Sequence, residues 1–376
     1  MRKIRIVVAA LLLLGLCGCG KSADRGWNGL TQTGSMELQY AQEFQVDYYE
    51  GDYARITIEG DQYLLVPEGK TAPDGVSGDV TVLQQPLDNL YVASSSAVDL
   101  FLQSGAIDRV DMTSTSAENW TIPEIQEKVT SDDITYVGKY SAPDYEVVLD
   151  EGCGLAVENT MITHSPEVKE KLEQLGIPVL IERSSYEESP LGRVEWIKLY
   201  GLLTGTLEEA ERFFQKSVQQ VQAVEENTAN QETEKPTVVF FYFTSSGYAN
   251  VRTPNDYISQ MIDLAGGSYA FSAADLGDQG SRSTINMDLE QFYAAAKDAD
   301  ILIYNSTVEG ALSSLDALLE KSPLMKDCKA VQKGNVWCTG QNMFQQVSGT
   351  AEMISDLHAV ITGDTEHALT YLYRLQ

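Results

Sequence analysis

The side chains in this chain that can grip a ligand are large aromatics and arginines, placed just after short apolar runs. Trp120, Tyr186 and Tyr248 offer broad faces. Arg183, Arg193 and Arg252 offer forked donors, and Ser95, Asn159 and Met161 stand in neighbouring loops. Aromatic faces bury a rigid guest at low entropic cost, and guanidinium groups hold carboxylate or other oxyanion oxygens by two points. That chemistry is capture. Each residue also has a purely structural reading: Trp120 fits a core as well as a cleft, and Arg193 fits an ion pair with Glu187 or Glu188. Arg252 directly precedes a Thr253-Pro254 helix start, which favours the cleft.

Conversion of a ligand finds little support in the sequence. It has no GxSxG elbow, no P-loop and no GxGxxG after a strand. His164, His358 and His367 show no ligand spacing and there is no CxxC, so the sequence predicts no protein-built zinc or iron site. Cys153, Cys328 and Cys338 follow the N-terminal pair Cys17 and Cys19. Three is an odd count, so at least one is unpaired within the chain, and a Cys328–Cys338 bridge stays open.

The elements that must position these residues can be read from periodicity. Residues 44–67 hold three short aromatic and β-branched runs parted by Glu-Gly-Asp turns, a β-meander. Strands follow at 90–93, 154–158 and 178–182. Ser165-Pro166 opens the helix between the last two, so 154–182 is a βαβ unit. The grammar recurs with strands at 237–243, 268–271, 300–304 and 336–338 and a helix opened by Thr253-Pro254. Between the halves, Thr206-x-x-Glu209 forms a capping box, and apolar residues from Leu207 to Val224 recur at spacings of three and four. The sequence therefore predicts an α/β fold: two Rossmann-like lobes with mainly parallel sheets, joined by one long helix. In such sheets ligands sit beyond the carboxyl ends of the strands, which places the cleft between the lobes.

The 376 residues carry a net charge of −29, which excludes a nucleic-acid surface. Residues 1–18 combine early positive charge with an apolar run too short to span a bilayer, as in a lipoprotein signal peptide. Leu16-Cys17-Gly18-Cys19 resembles a lipobox with Cys19 as the lipidated residue, and 19–35 reads as a flexible tether. The remaining divisions are an N-terminal lobe at 36–205, an interlobe helix at 206–230 and a C-terminal lobe at 231–376.

With these features in place, the chain resembles the substrate-binding lipoproteins of bacterial ABC importers, in the class with a rigid interlobe helix. That class carries ferric siderophores, haem and cobalamin. The lipobox, the run at 158–201 and DADILIYN at 298–305 carry the resemblance. It implies a membrane-anchored, extracytoplasmic, monomeric capture protein that is not an enzyme and has no cofactor of its own. A ferric siderophore is the first expected cargo, and haem or cobalamin the alternative. The partners implied are a permease and its ATPase, docked through one acidic residue on each lobe: Glu146 in 142–146 and Glu290 in 286–290. Both also suit ordinary helix starts, where a carboxylate meets the positive end of the dipole. The rivals to this reading are a secreted hydrolase acting on a polysaccharide or ester, and a sensor or scaffold using the same fold.

Overall fold

The computed structural model describes residues 29–229, 234–276 and 282–376. The signal segment, with Cys17 and Cys19, lies outside the described residues.

The first sheet is an N-terminal platform. Its strands are β1 Gln32–Ser35, β2 Phe44–Tyr49, β3 Ala54–Ile58, β4 Asp61–Val66 and β5 Val80–Gln84, in that spatial order. All pairings are antiparallel except β4 with β5. Residues 32–35, read from sequence as tether, instead form its edge strand. Their polar side chains are held to β2, where Gln32 and Ser35 both donate to Asp47.

Two buried carboxylates fasten this platform to the first lobe. Glu195 accepts the backbone N–H groups of Gln39, Tyr40 and Ala41 at 2.7–2.9 Å and pairs with Lys198 at 2.7 Å. Glu187 accepts the N–H groups of Gln42 and Glu43 and the Trp196 indole N–H at 2.9 Å. Such charged acceptors keep turning backbone satisfied where no strand partner reaches it.

The first lobe is a parallel sheet of β6 Leu90–Val92, β7 Val110–Thr113 and β8 Thr135–Tyr136, then, beyond a two-residue hairpin of β9 Gly138–Lys139 and β10 Ala142–Pro143, β11 Leu155–Asn159 and β12 Val179–Glu182. Its order is β12-β11-β6-β7-β8, so the strand order reverses beside β6. The predicted βαβ unit is present, with helix Pro166–Gln174 between β11 and β12.

The second lobe has a parallel centre flanked by antiparallel strands. Its strands are β13 Thr237–Phe243, β14 Tyr248–Arg252, β15 Ser268–Tyr269, β16 Thr284–Asp288, β17 Ile301–Tyr304, β18 Val336–Thr339 and β19 Leu372–Arg374. β13, β15, β17 and β18 run parallel, while β14, β16 and β19 add antiparallel. The stretch 244–252 reads as a loop because its first half is Ser/Gly-rich. Its second half pairs with β13 on one side and β16 on the other.

Between the lobes runs helix Leu207–Ala229. Its buried stripe is Ala210, Phe214, Ser217, Val218, Val221 and Val224; Leu207, which the spacing also places in it, is only half-buried. Each valine and the phenylalanine contributes about 1.5–3 kcal/mol when fully removed from water. Gly201 on helix Ile197–Thr204 lets the two helices touch, since a Cβ there would stand 2.7 Å from Ala210 Cβ. The apolar interior has three bodies. One fills the outer face of the first lobe's sheet and another the outer face of the second lobe's. The third is continuous: it joins the platform, the inner face of the first lobe, the long helix, the second lobe's Val238, Phe240, Ile301 and Ile303, and helix Thr350–Thr362.

Candidate functional site

The carboxyl-terminal rims of the two lobes meet, and polar side chains join them. Asp99, on helix Ser95–Gln103 after β6, accepts the Ser348 N–H at 2.7 Å and its hydroxyl at 2.9 Å. Gln345, in the loop after β18, accepts the Thr121 N–H at 2.8 Å and returns an N–H to the Asn119 carbonyl at 2.8 Å. Asp99 is fully buried. Burial pushes its carboxyl up to about 6, and the two Ser348 donors oppose the rise.

Beside these contacts a cavity of about 620 Å³ opens between the lobes. Tyr186 and Glu188 line it from the first lobe, and Thr253, Asp256, Tyr257 and Ser283 from the second. The volume lies within the range of sites for guests of several hundred daltons. Tyr257 is also a wall of a smaller recess behind, which holds Arg193, Phe344 and Gln346. The helix starting at Tyr257 is capped by Asp256, whose side chain accepts the Ile258 N–H at 3.0 Å. Thr253, read from sequence as the cap, lies in the turn ahead of it and donates its hydroxyl to the Arg282 carbonyl at 3.1 Å.

Charge concentrates behind Tyr257. The Arg193 guanidinium lies 3.9 Å from the ring centroid of Tyr257, and Arg252 lies 5.8 Å from it on its way to Phe344 at 5.2 Å. Arg252 pairs with Asp256 at 3.4 Å. Burial raises the Asp256 carboxyl, and the positive charge of Arg252 opposes this first. Among the described residues Arg193 has no ion-pair partner. Glu187, its sequence-level candidate, is occupied by Gln42, Glu43 and Trp196. Arg193 is only 8% exposed, so two guanidiniums face one carboxylate in a largely dry recess.

The other candidates scatter. Tyr186 is half exposed in the cavity wall, and the Arg183 guanidinium stacks on its ring at 4.3 Å. Arg183 itself is not available to a ligand oxyanion, because Glu43 at 2.8 Å and Glu59 at 2.5 Å hold it. Trp120 is a core residue, buried, with its indole N–H on the Thr115 carbonyl at 3.0 Å. Asn159 caps the turn Thr160–His164 through the Met161 N–H, and Met161 projects half exposed beyond β11. Ser95 opens the helix after β6, half-buried beside a Ser94–Ser96 hydroxyl pair. Tyr248 stands at the far end of β14 from Arg252, about 13 Å along the strand.

Large apolar side chains left exposed at or just beyond the ends of parallel strands are Tyr136, Met161, Tyr186 and Val308, and Tyr248 is exposed at the start of β14. Glu146 and Glu290 are exposed in the first turns of helices Tyr145–Asp150 and Leu289–Ala296, one on each lobe. Cys153, Cys328 and Cys338 are all unbonded. Sequence reasoning missed Asp99, Gln345, Ser348, Asp256 and Tyr257. Only Asp99 left a visible trace, as a lone acid inside the apolar run Ala97 to Leu102.

Comparison with known proteins places this geometry. A family model described as periplasmic binding protein matches residues 93–343. An uncharacterised lipoprotein of Methanocaldococcus jannaschii is 25% identical over 354 residues, covering 86% of this chain and 81% of that protein. Among solved structures, a periplasmic heme-binding protein from Pseudomonas aeruginosa superposes with a TM-score of 0.62 at 15% identity, over 77% of this chain and 98% of that one. The periplasmic heme-binding protein HutB of Vibrio cholerae gives 0.58 at 17%, over 72% and 99%. Among the described residues no helix is long and apolar enough to cross a membrane.

Proposed function

Because the chain belongs to the periplasmic binding protein family, we propose that it is the capture lipoprotein of an ABC importer and that its cargo is an iron chelate. It is anchored outside the cytoplasm through Cys19, works as a monomer, and presents the loaded cleft to a permease and its ATPase through Glu146 and Glu290. It performs no chemistry on the guest.

The observation that carries the reading is the interlobe cavity of about 620 Å³ with a half-exposed Tyr186 in its wall and two arginines behind Tyr257. A broad aromatic surface and a small surplus of buried positive charge suit a large guest with few acidic groups. A haem-like tetrapyrrole fits this better than a trianionic ferric siderophore. Glu43 and Glu59 neutralise Arg183, and in the cavity wall Glu187, Glu188 and Asp256 outnumber Arg282. The heme-binding neighbours point the same way. A ferric siderophore of low charge is the second reading, and the exposed apolar rim favours it equally.

The test is a titration of the purified protein with hemin, cobalamin and a panel of ferric siderophores, followed by tryptophan quenching and visible absorbance. One guest per chain, bound without product and weakened at least tenfold by Tyr186→Ala, is the expected result. Silence toward every member of the panel, or turnover of any, overturns the proposal.

A further inference from the structure

We propose that Glu352, Asp356 and His367 form a binding site for a divalent first-row transition cation, at the junction of the long interlobe helix and the C-terminal helix. Glu352 and Asp356 stand one turn apart on helix Thr350–Thr362, and the chain beyond that helix doubles back to lay His367 against them. His367 Nε2 is 2.8 Å from Asp356 Oδ1 and 3.9 Å from Glu352 Oε1, and the three donor atoms lie within 4.8 Å of one another. Donors sharing one ion at about 2.0–2.2 Å stand about 3.0–3.5 Å apart in an octahedral or tetrahedral shell. The two distances from His367 bracket that size, and Glu352 must move inward for all three donors to close on one cation.

The outer oxygens are held from behind. Asp356 Oδ2 accepts the N–H groups of Thr370 at 2.9 Å and Tyr371 at 2.6 Å. Glu352 Oε2 accepts the side-chain N–H of Gln220, on the long helix, at 2.7 Å. Each carboxylate thus has one oxygen fixed by a donor and the other turned toward the imidazole. Partners placed in this way orient first-row metal ligands and set their affinity. A plain imidazole–carboxylate hydrogen bond accounts for Asp356. It leaves Glu352 unexplained, since 3.9 Å is beyond hydrogen-bond reach and yet Gln220 holds the side chain there.

One imidazole nitrogen and two carboxylate oxygens suit zinc, manganese or iron(II) better than calcium or magnesium, which prefer oxygen alone. Asp356 is fully buried, whereas the Glu352 side chain is 38% exposed and that of His367 25%, so an ion has a path in and room for water in its remaining positions. The histidine spacing rule fails here because two ligands come from adjacent turns of a helix and the third from a return segment eleven residues on.

The experiment is isothermal titration of the purified, chelator-stripped full-length protein with zinc chloride and manganese chloride, with calcium and magnesium chlorides as controls and circular dichroism to check folding. One zinc ion per chain is expected, with a higher Tm. His367→Gln and Glu352→Gln each weaken zinc at least tenfold. Gln220→Leu, which removes no ligand, weakens it about 10–100-fold. His164→Gln and His358→Gln leave it unchanged. Absence of zinc binding, equal affinity for calcium, or wild-type affinity in folded His367→Gln and Glu352→Gln overturns the site.

Discussion

Replacing Glu158 by Gln isolates a single buried carboxyl and its pH dependence. Glu158 lies on β11, fully buried, with the buried Tyr91 hydroxyl beside its carboxyl. Burial pushes its carboxyl up from 4.5 to about 8, with the Tyr91 hydroxyl opposing. The sign follows from proton uptake. Between about 4.5 and 8 the folded chain holds this proton and the unfolded chain does not, so stability falls as pH rises through that window and levels above it. At about 1.4 kcal/mol for each pH unit, the full loss is on the order of 5 kcal/mol. The glutamine cannot ionise and keeps the shape. Urea unfolding of both proteins at pH 5, 7 and 9 reads the effect, and the midpoint difference is meaningful while m is unchanged. The two should be close at pH 5 and should diverge in the variant's favour up to pH 9. The other carboxylates of this acidic chain act equally on both and cancel. Parallel pH curves, or a wild type that gains on the variant at high pH, would refute the assignment of a buried neutral acid at Glu158.

Phe214→Ala in the long helix should cost about 3–5 kcal/mol, because it hollows the core that both lobes share; denaturant titration measures it. Arg193→Met should weaken hemin binding at least tenfold while sparing a neutral corrinoid, because it removes the cation without an ion-pair partner behind Tyr257; equal losses for both guests would assign Arg193 to structure. Glu146→Lys together with Glu290→Lys should abolish uptake in cells and leave guest affinity in solution intact, and a fall in affinity would move these residues out of docking.

Some of this was legible from sequence because local physics decides it. β13 is a seven-residue apolar strand and was bounded to the residue, and the stripe on the long helix repeats at helical spacing. The antiparallel ribbon of β14 and β16 was not, since Tyr248 meets Asp288 across forty residues and no local pattern marks the pairing. Trp120 shows the limit for sites: a tryptophan after a strand is equally at home in a cleft or a core, and the Thr115 carbonyl decides it. Arg183 stands just beyond β12, where the strand pattern puts it. Its loss to Glu43 and Glu59 depends on a platform more than a hundred residues earlier in the chain. The cross-lobe contacts of Asp99 and Gln345 depend on how the halves are set against each other, which neither half encodes alone.

A middle core that runs without a break from one half to the other sets a fixed aperture. The jaws cannot shrink onto a small molecule or gape for a large one without wetting Phe214, Phe240 and their neighbours. For the capture role proposed above, selection would then work by calibre: undersized molecules rattle and leave, and oversized ones never enter. Discharge of a fitting one requires leverage from outside, applied where the two halves are farthest from their common centre.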